Sequence, residues 1–165
     1  ARHLLPIPRD RLARPHFIAT LHSLEPGWSH SGEALLLALG EDIELGVDLE
    51  RLRPRPRAME LAQRFYHPQE TSWLHSLDEG ARMLAFVRLW CAKEAVLKAH
   101  GQGISFGLHR FHVRLDEDRA WLAACDPALG HADDWHLHEW APRADYRAAL
   151  AWHPRGAAWR PAIMP

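Results

Sequence analysis

Apolar and polar residues alternate over positions 43–50, the clearest pattern in the chain. A strand is predicted there, because alternation places every second side chain on the same face. An apolar run at 34–39 and a turn signal at 40–42 precede this strand, which together predict a hairpin with one apolar face. Another strand is predicted over 17–24 and is expected to end at Pro26-Gly27.

The middle of the chain changes to a helical period. Residues 58–66 and 68–77 fit two helices, with Pro68 in the first turn of the second. Residues 78–80 interrupt the pattern, and a long helix is predicted over 81–100, ended by Gly101. Strand patterns return at 110–115, 121–125, 135–140 and 146–153 and predict an antiparallel meander. Prolines make residues 1–16 an irregular lead-in and residues 51–57 a basic connector.

The composition is that of an ordinary single domain of 165 residues, with 47% hydrophobic and 25% charged residues. A formal net charge of -1 gives no general attraction to nucleic acid or to anionic membranes. No apolar run approaches the roughly 20 residues that span a bilayer, and residues 1–6 lack a signal-peptide pattern. The two cysteines, Cys91 and Cys125, lack metal-like spacing, so a cytoplasmic location is expected. His136 and His138 share a strand face, but no third zinc ligand is placed by the sequence.

Glu94 is the first candidate for chemistry, because it falls within an apolar stripe of the long helix. A carboxylate in that position needs a cation or a metal ion as its partner. Lys98 lies one helical turn further on, so a simple ion pair at the edge of the helix is the alternative. The stripe consists of Met83, Val87, Trp90, Glu94 and Leu97.

Asp48 and Glu50 point to the same side of their strand, about 7 Å apart. The alternative is that they form the solvated face of a half-buried strand. Gly46 precedes them on that face, where a missing side chain would let a ligand approach the backbone. Together with Glu94 they offer three carboxylates, which suit Mg²⁺ and a pyrophosphate. The positive charge needed in addition would come from Lys93, Lys98 or protonated His30.

Several short segments occur in an order that resembles the 4'-phosphopantetheinyl transferases. The strands that follow resemble the second half of the two-lobed, surfactin-synthetase-activating type of that family. The segments are, in order, Ser29-His30-Ser31-Gly32, Gly46-Val47-Asp48-Leu49-Glu50, Arg64-Phe65-Tyr66 with Glu70, Trp90-Cys91-Ala92-Lys93-Glu94 with Lys98, and Gly101-Gln102-Gly103-Ile104-Ser105.

The resemblance implies a holo-carrier-protein synthase. Such an enzyme transfers 4'-phosphopantetheine from coenzyme A to a serine of an acyl or peptidyl carrier protein, in a Mg²⁺-dependent reaction that releases adenosine 3',5'-bisphosphate. Fatty acid, polyketide or nonribosomal peptide synthesis would be the pathway served. The implied fold is α+β, with two small antiparallel sheets packed with helices in pseudo-twofold lobes. Residues 1–165 would form one domain, with a reduced N-terminal lobe at 1–57 and a C-terminal lobe at 58–165.

The resemblance also assigns roles to individual residues. Glu94, or a water on the metal, would take the proton of the serine, and Lys98 would steady the charge on the pyrophosphate. The implied metal ligands are Asp48, Glu50 and Glu94. The implied coenzyme A contacts are Ser29, His30, Lys93 and Lys98, with Arg14 directed to the 3'-phosphate.

Two further features leave alternatives open. The segment before Ser29 is shorter than in two-lobed members, which a trimmed chain, a reduced two-lobed fold or an oligomer would each explain. The arginines that alternate from Arg51 to Arg57 form either a docking strip for acidic carrier proteins or a solvated linker. The competing functions are a noncatalytic carrier-binding module derived from this fold and a metal-dependent phosphoesterase.

Overall fold

The computed structural model describes residues 24–117 and 119–155, which form an α+β fold, as expected. The predicted lead-in at 1–16, Arg14 and nearly all of the predicted strand at 17–24 lie outside these residues. The helices are α1 (Ala58–Phe65), α2 (Pro68–Ser76) and α3 (Glu79–His100). The strands are β1 (Leu24–Ser31), β2 (Ala34–Glu41), β3 (Ile43–Arg51), β4 (Phe111–Leu115), β5 (Ala120–Cys125), β6 (His136–Trp140) and β7 (Tyr146–Pro154).

The first hairpin is formed by β1 and β2, so the predicted pairing of β2 with β3 is wrong. Ser31 pairs with Ala34, which leaves a two-residue turn in which Gly32 has a φ of 57°. A glycine adopts this conformation easily, and two-residue turns are the usual hairpin connection. Strand β1 also continues through Pro26-Gly27, where the sequence predicted its end.

The last four strands do not form the predicted meander. Strands β4 and β5 make a separate two-stranded sheet, whereas β6 and β7 join β3 in the order β3-β7-β6. All pairings are antiparallel, and Asp48 of β3 lies opposite Ala149 of β7. The described residues therefore contain three small sheets, and the central one combines a strand from the first third of the chain with two from its end.

Helix α3 begins at Glu79, two residues before its predicted start, and ends at His100 as predicted. Asp78 is its N-cap and accepts a hydrogen bond from the Ala81 amide at 2.9 Å. Gly101 follows the last turn with a φ of 83°. The helix packs along β3 and β7 and contributes eleven buried residues to the core. No helix in the described ranges is long and apolar enough to cross a membrane.

Candidate active site

A cleft of about 600 Å³ opens between β1, β3 and the C-terminal end of α3. The sequence-predicted residues Ser29, His30, Asp48, Glu50 and Lys98 all line it. The remaining lining residues are Pro26, Gly27, Trp28, Leu45, Gly46, Val47, Leu49, Leu97, Gly101 and Gly103. The two distant segments singled out by the sequence therefore meet at one place.

Gly46 sets the distance between β3 and α3. A Cβ atom at this position would lie 2.1 Å from the Ala95 carbonyl oxygen and 2.4 Å from the Ala99 amide nitrogen. The glycine thus lets helix backbone approach strand backbone, so the helix, and not a ligand, fills the space that its missing side chain leaves. Its consequence for the site is indirect, because close packing brings Lys98 of the helix against β3.

Replacing Gly46 by alanine is expected to force the helix and strand apart, since neither backbone group can yield as a flexible side chain would. We expect a loss of roughly 1–3 kcal/mol in the free energy of unfolding, as for overpacking in a core. Denaturant unfolding measures this. Gly80→Ala is the matched control, because Gly80 lies in α3 and its added Cβ would have only one neighbour, at 3.4 Å. An unchanged stability in Gly46→Ala would contradict the packing argument.

Asp48 and Lys98 form the central ion pair of the cleft. The Lys98 ammonium donates to Asp48 Oδ1 at 2.7 Å, to the Val47 carbonyl at 3.0 Å and to Ser29 Oγ at 3.1 Å. The Ser29 hydroxyl donates to the same Oδ1 at 2.9 Å. Asp48 Oδ2 is buried and has no hydrogen-bond partner among residues 24–117 and 119–155. One oxygen of Asp48 is therefore held by the protein, and the other is left for a ligand.

Glu50 is held in a similar way by a different cation. Arg55 Nη2 lies 2.6 Å from Glu50 Oε2, and both side chains are more than four-fifths buried. The Ser31 hydroxyl donates to the same oxygen at 3.3 Å. The described hydrogen bonds to the Glu50 side chain all involve Oε2, so Oε1 takes no part in them.

The arginines of the basic connector are mostly paired within the chain. Arg51 lies 3.3 Å from Asp145, Arg57 lies 2.8 Å from Glu60, and Arg55 holds Glu50. Arg53 is exposed. The strip therefore presents less free positive charge than its sequence indicates, which weakens the interpretation as a carrier-docking surface.

Glu94 is partly buried, and its Oε1 has no hydrogen-bond partner in the part of the chain that the structure describes. Burial, followed by the neighbouring Asp48 carboxylate, raises the pKa of Glu94 to about 7, against the opposing effect of Lys98. The alternative of a Glu94–Lys98 ion pair is not observed, since the Lys98 ammonium is directed to Asp48 instead. Glu94 thus stands beside the ion pair as a carboxyl group able to exchange a proton near neutral pH.

Lys93 does not belong to this site, and its predicted contact with the cofactor is wrong. Its side chain is fully buried and donates to Glu70 Oε1 and to the Phe111 carbonyl, each at 2.7 Å. Each residue turns a helix by about 100°, so a side chain adjacent to Glu94 in sequence leaves the helix in a different direction. Burial lowers the pKa of Lys93 to about 8, and Glu70 opposes this shift.

Trp28 is a cleft residue that the sequence argument missed. Its ring stacks on that of the exposed His30, with 6.0 Å between centroids and 18° between the planes. The strand alternation places both side chains on one face of β1, and this was the available signal. The pair offers a flat aromatic surface at the edge of the cleft.

The carboxylates fit a hard divalent cation in part. Within residues 24–117 and 119–155, no three histidine, cysteine or acidic side chains are grouped as ligands of one ion. Mg²⁺, however, usually takes only one or two carboxylates, together with waters and substrate phosphates. Asp48 and Glu94 each have a buried oxygen without a hydrogen-bond partner among the described residues, so this smaller number of carboxylates is available.

Comparisons with known proteins agree on one family. The family model described as ACPS, 4'-phosphopantetheinyl transferase superfamily, matches residues 44–151. The protein slr0495 of Synechocystis sp. is 41% identical over 130 residues, covering 75% of this chain and 52% of that protein. The 4'-phosphopantetheinyl transferase HetI of Nostoc sp. is 36% identical over 157 residues, covering 94% and 59%. The chain thus spans little more than half the length of these two relatives.

Two further similarities cover less of the chain. The 4'-phosphopantetheinyl transferase Sfp of Bacillus subtilis is 36% identical over 90 residues, which cover 54% of this chain and 39% of Sfp. The crystal structure of holo-[acyl-carrier-protein] synthase from Thermotoga maritima superimposes with a TM-score of 0.52. It has 17% sequence identity over 68% of this chain and 64% of that one, so it supports the fold alone.

Proposed function

Because the chain belongs to the 4'-phosphopantetheinyl transferase superfamily, we propose that it transfers 4'-phosphopantetheine from coenzyme A to a serine of an acyl or peptidyl carrier protein, releasing adenosine 3',5'-bisphosphate. Relatives that carry the transferase name support this reaction. The observation that carries the proposal is the cleft lined by the Asp48–Lys98 ion pair, with the Glu94 carboxyl near enough to both charges for them to influence its pKa.

Asp48 and Glu94 would hold Mg²⁺, with Glu50 as a third acid at the same cleft. When bound, the ion would neutralise charge on the pyrophosphate of coenzyme A. Lys98 reaches the cleft with about a third of its side chain exposed, so it can bind the same anion. His30 is exposed at the cleft edge and suits a contact with a phosphate or with the nucleotide.

Glu94 is also our candidate for receiving the proton of the attacking serine, directly or through a water. A general base works best when its pKa is near the operating pH, and the pKa of about 7 meets this condition in the protein without Mg²⁺. With Glu94 bound to the ion, the proton would pass to a water instead. Ser29 contacts Lys98 and Asp48, so we propose that it aligns the ion pair at the coenzyme A site.

Some parts of the proposal rest on the sequence resemblance. These are the contact of Arg14 with the 3'-phosphate and the division into lobes at 1–57 and 58–165. A cytoplasmic location is proposed because Cys91 and Cys125 are both free, as expected in a reducing compartment. The proposal also includes an oligomer of this chain.

The decisive experiment is the loading of apo carrier proteins with a fluorescent coenzyme A, with Mg²⁺ and with a chelator. We expect Mg²⁺-dependent labelling of the carrier serine, and none when that serine is replaced by alanine. A panel of acyl and peptidyl carriers would identify the preferred acceptor. Carrier binding without any labelling would favour the noncatalytic module instead. Cleavage of coenzyme A without an acceptor would favour a phosphoesterase.

A further inference from the structure

Two serines of β1 repeat the same set of contacts with two acids of β3. Ser29 Oγ accepts a hydrogen bond from the Leu49 amide at 3.2 Å and donates to Asp48 at 2.9 Å. Two residues on, Ser31 Oγ accepts from the Arg51 amide at 3.0 Å and donates to Glu50 at 3.3 Å. Each hydroxyl thus binds the carboxylate of an acid in β3 and the backbone amide of the residue directly after that acid.

These side-chain contacts take the place of the backbone hydrogen bonds that join neighbouring strands within one sheet. Strands β1 and β3 belong to different sheets, so their backbones are not paired along this edge. A serine hydroxyl has one hydrogen to donate and can accept at the same time. Each of these serines donates to a carboxylate and accepts from a backbone amide, and we call this pair of contacts a rung. The rungs therefore tie the two strands together through the same groups that orient the acids.

The rungs also decide which oxygen of each acid is available. Ser29 and Lys98 both contact Asp48 Oδ1, and Ser31 and Arg55 both contact Glu50 Oε2. In the described part of the chain, the hydrogen bonds of Asp48 and Glu50 leave the second oxygen of each acid, Oδ2 and Oε1, unused. A carboxylate fixed at one oxygen binds an ion through the other with less conformational entropy to lose.

We propose that Ser31 is a positioning residue for Glu50, as Ser29 is for Asp48, and that it prepares this acid to bind the divalent cation. The inference rests on the proposed function and extends it to a residue outside the metal ligands and the coenzyme A contacts. Ser31 need not touch the substrate, since it acts through Glu50.

The test measures Mn²⁺ binding to the protein without coenzyme A. The electron paramagnetic resonance signal of the free ion reports how much Mn²⁺ is unbound. Ser31→Ala is expected to raise the Mn²⁺ dissociation constant roughly tenfold, the lower end for a residue that orients a metal ligand. The lower end applies because Arg55 still contacts Oε2. Ser31→Thr keeps the hydroxyl and should retain the parent affinity. Ser31→Cys keeps the shape with only a weak donor and should resemble alanine.

Ser76→Ala is the matched control, because the exposed Ser76 donates its hydrogen bond to the Trp73 carbonyl within α2. Circular dichroism and thermal unfolding of each variant separate a loss of structure from a loss of affinity. Parent affinity in folded Ser31→Ala and Ser31→Cys, with carrier loading intact, would overturn the role of Ser31 and leave the proposed function standing. A parent protein that neither binds Mn²⁺ nor loads a carrier would overturn both.

Discussion

Replacing Glu94 by glutamine is expected to reduce carrier loading by roughly 10²–10³-fold, because the change removes a charged oxygen that stabilises the reacting groups. Glutamine keeps the shape of the side chain, and the partly buried charge is lost. The fold should therefore persist. Initial rates of loading with fluorescent coenzyme A measure the effect, and circular dichroism checks the structure.

The same variant has a second, pH-dependent signature. In the parent, the pKa of Glu94 is raised to about 7, so below that pH a divalent ion must displace a proton. The affinity for Mn²⁺ should then rise about tenfold per pH unit up to pH 7 and level off above it. Glu94→Gln should bind weakly and lose this dependence. Parent-like loading and an unchanged pH profile would remove Glu94 from the site.

Replacing Glu70 by alanine is expected to lower the free energy of unfolding by about 3–5 kcal/mol, the cost of leaving one member of a buried ion pair alone. Both side chains of the Glu70–Lys93 pair are fully buried. Glu70 also accepts hydrogen bonds from the Val113 amide at 2.7 Å and the His67 amide at 3.0 Å. The substitution would therefore loosen α2, α3 and β4 together. Chemical denaturation measures the change.

Two comparisons make this second prediction specific. Glu60→Ala breaks the ion pair between Arg57 and Glu60, whose side chains are 79% and 64% exposed, respectively. This change should alter the free energy of unfolding by less than about 1 kcal/mol. Replacing Glu70 by leucine and Lys93 by methionine together should recover much of the stability, since no unpaired charge remains. A Glu70→Ala variant as stable as Glu60→Ala would show that the buried pair contributes little.

The helices could be predicted because their ends carry local signals. Pro68 in the first turn of α2 and Gly101 after α3 mark boundaries within a residue or two of those observed. Strand alternation, in contrast, states which residues share a face and not which strands are neighbours. The sequence therefore located β2 and β3 and paired them wrongly, because it missed the turn at Gly32.

The candidate site, like the fold, could be predicted only in part. Asp48, Glu50 and Lys98 were identified from faces and spacing, and the structure places them in one cleft. Lys93 was assigned to the site because it lies in the same sequence segment as Glu94, although the rotation of the helix directs its side chain away from that of Lys98. The contacts of Ser31 and Arg55 with Glu50 were not predicted, since contacts between β1, β3 and the connector depend on the tertiary packing.

The buried state of Lys93 gives the molecule an unusual chemical property. The sequence contains only two lysines, and Lys98 is the one whose side chain reaches solvent in the fold. An amine-directed acylating reagent should modify Lys98 in the native protein and reach Lys93 only after unfolding. Peptide mass mapping of the two positions would then report, from one sample, occupancy of the cleft by a protecting anion and the integrity of the core.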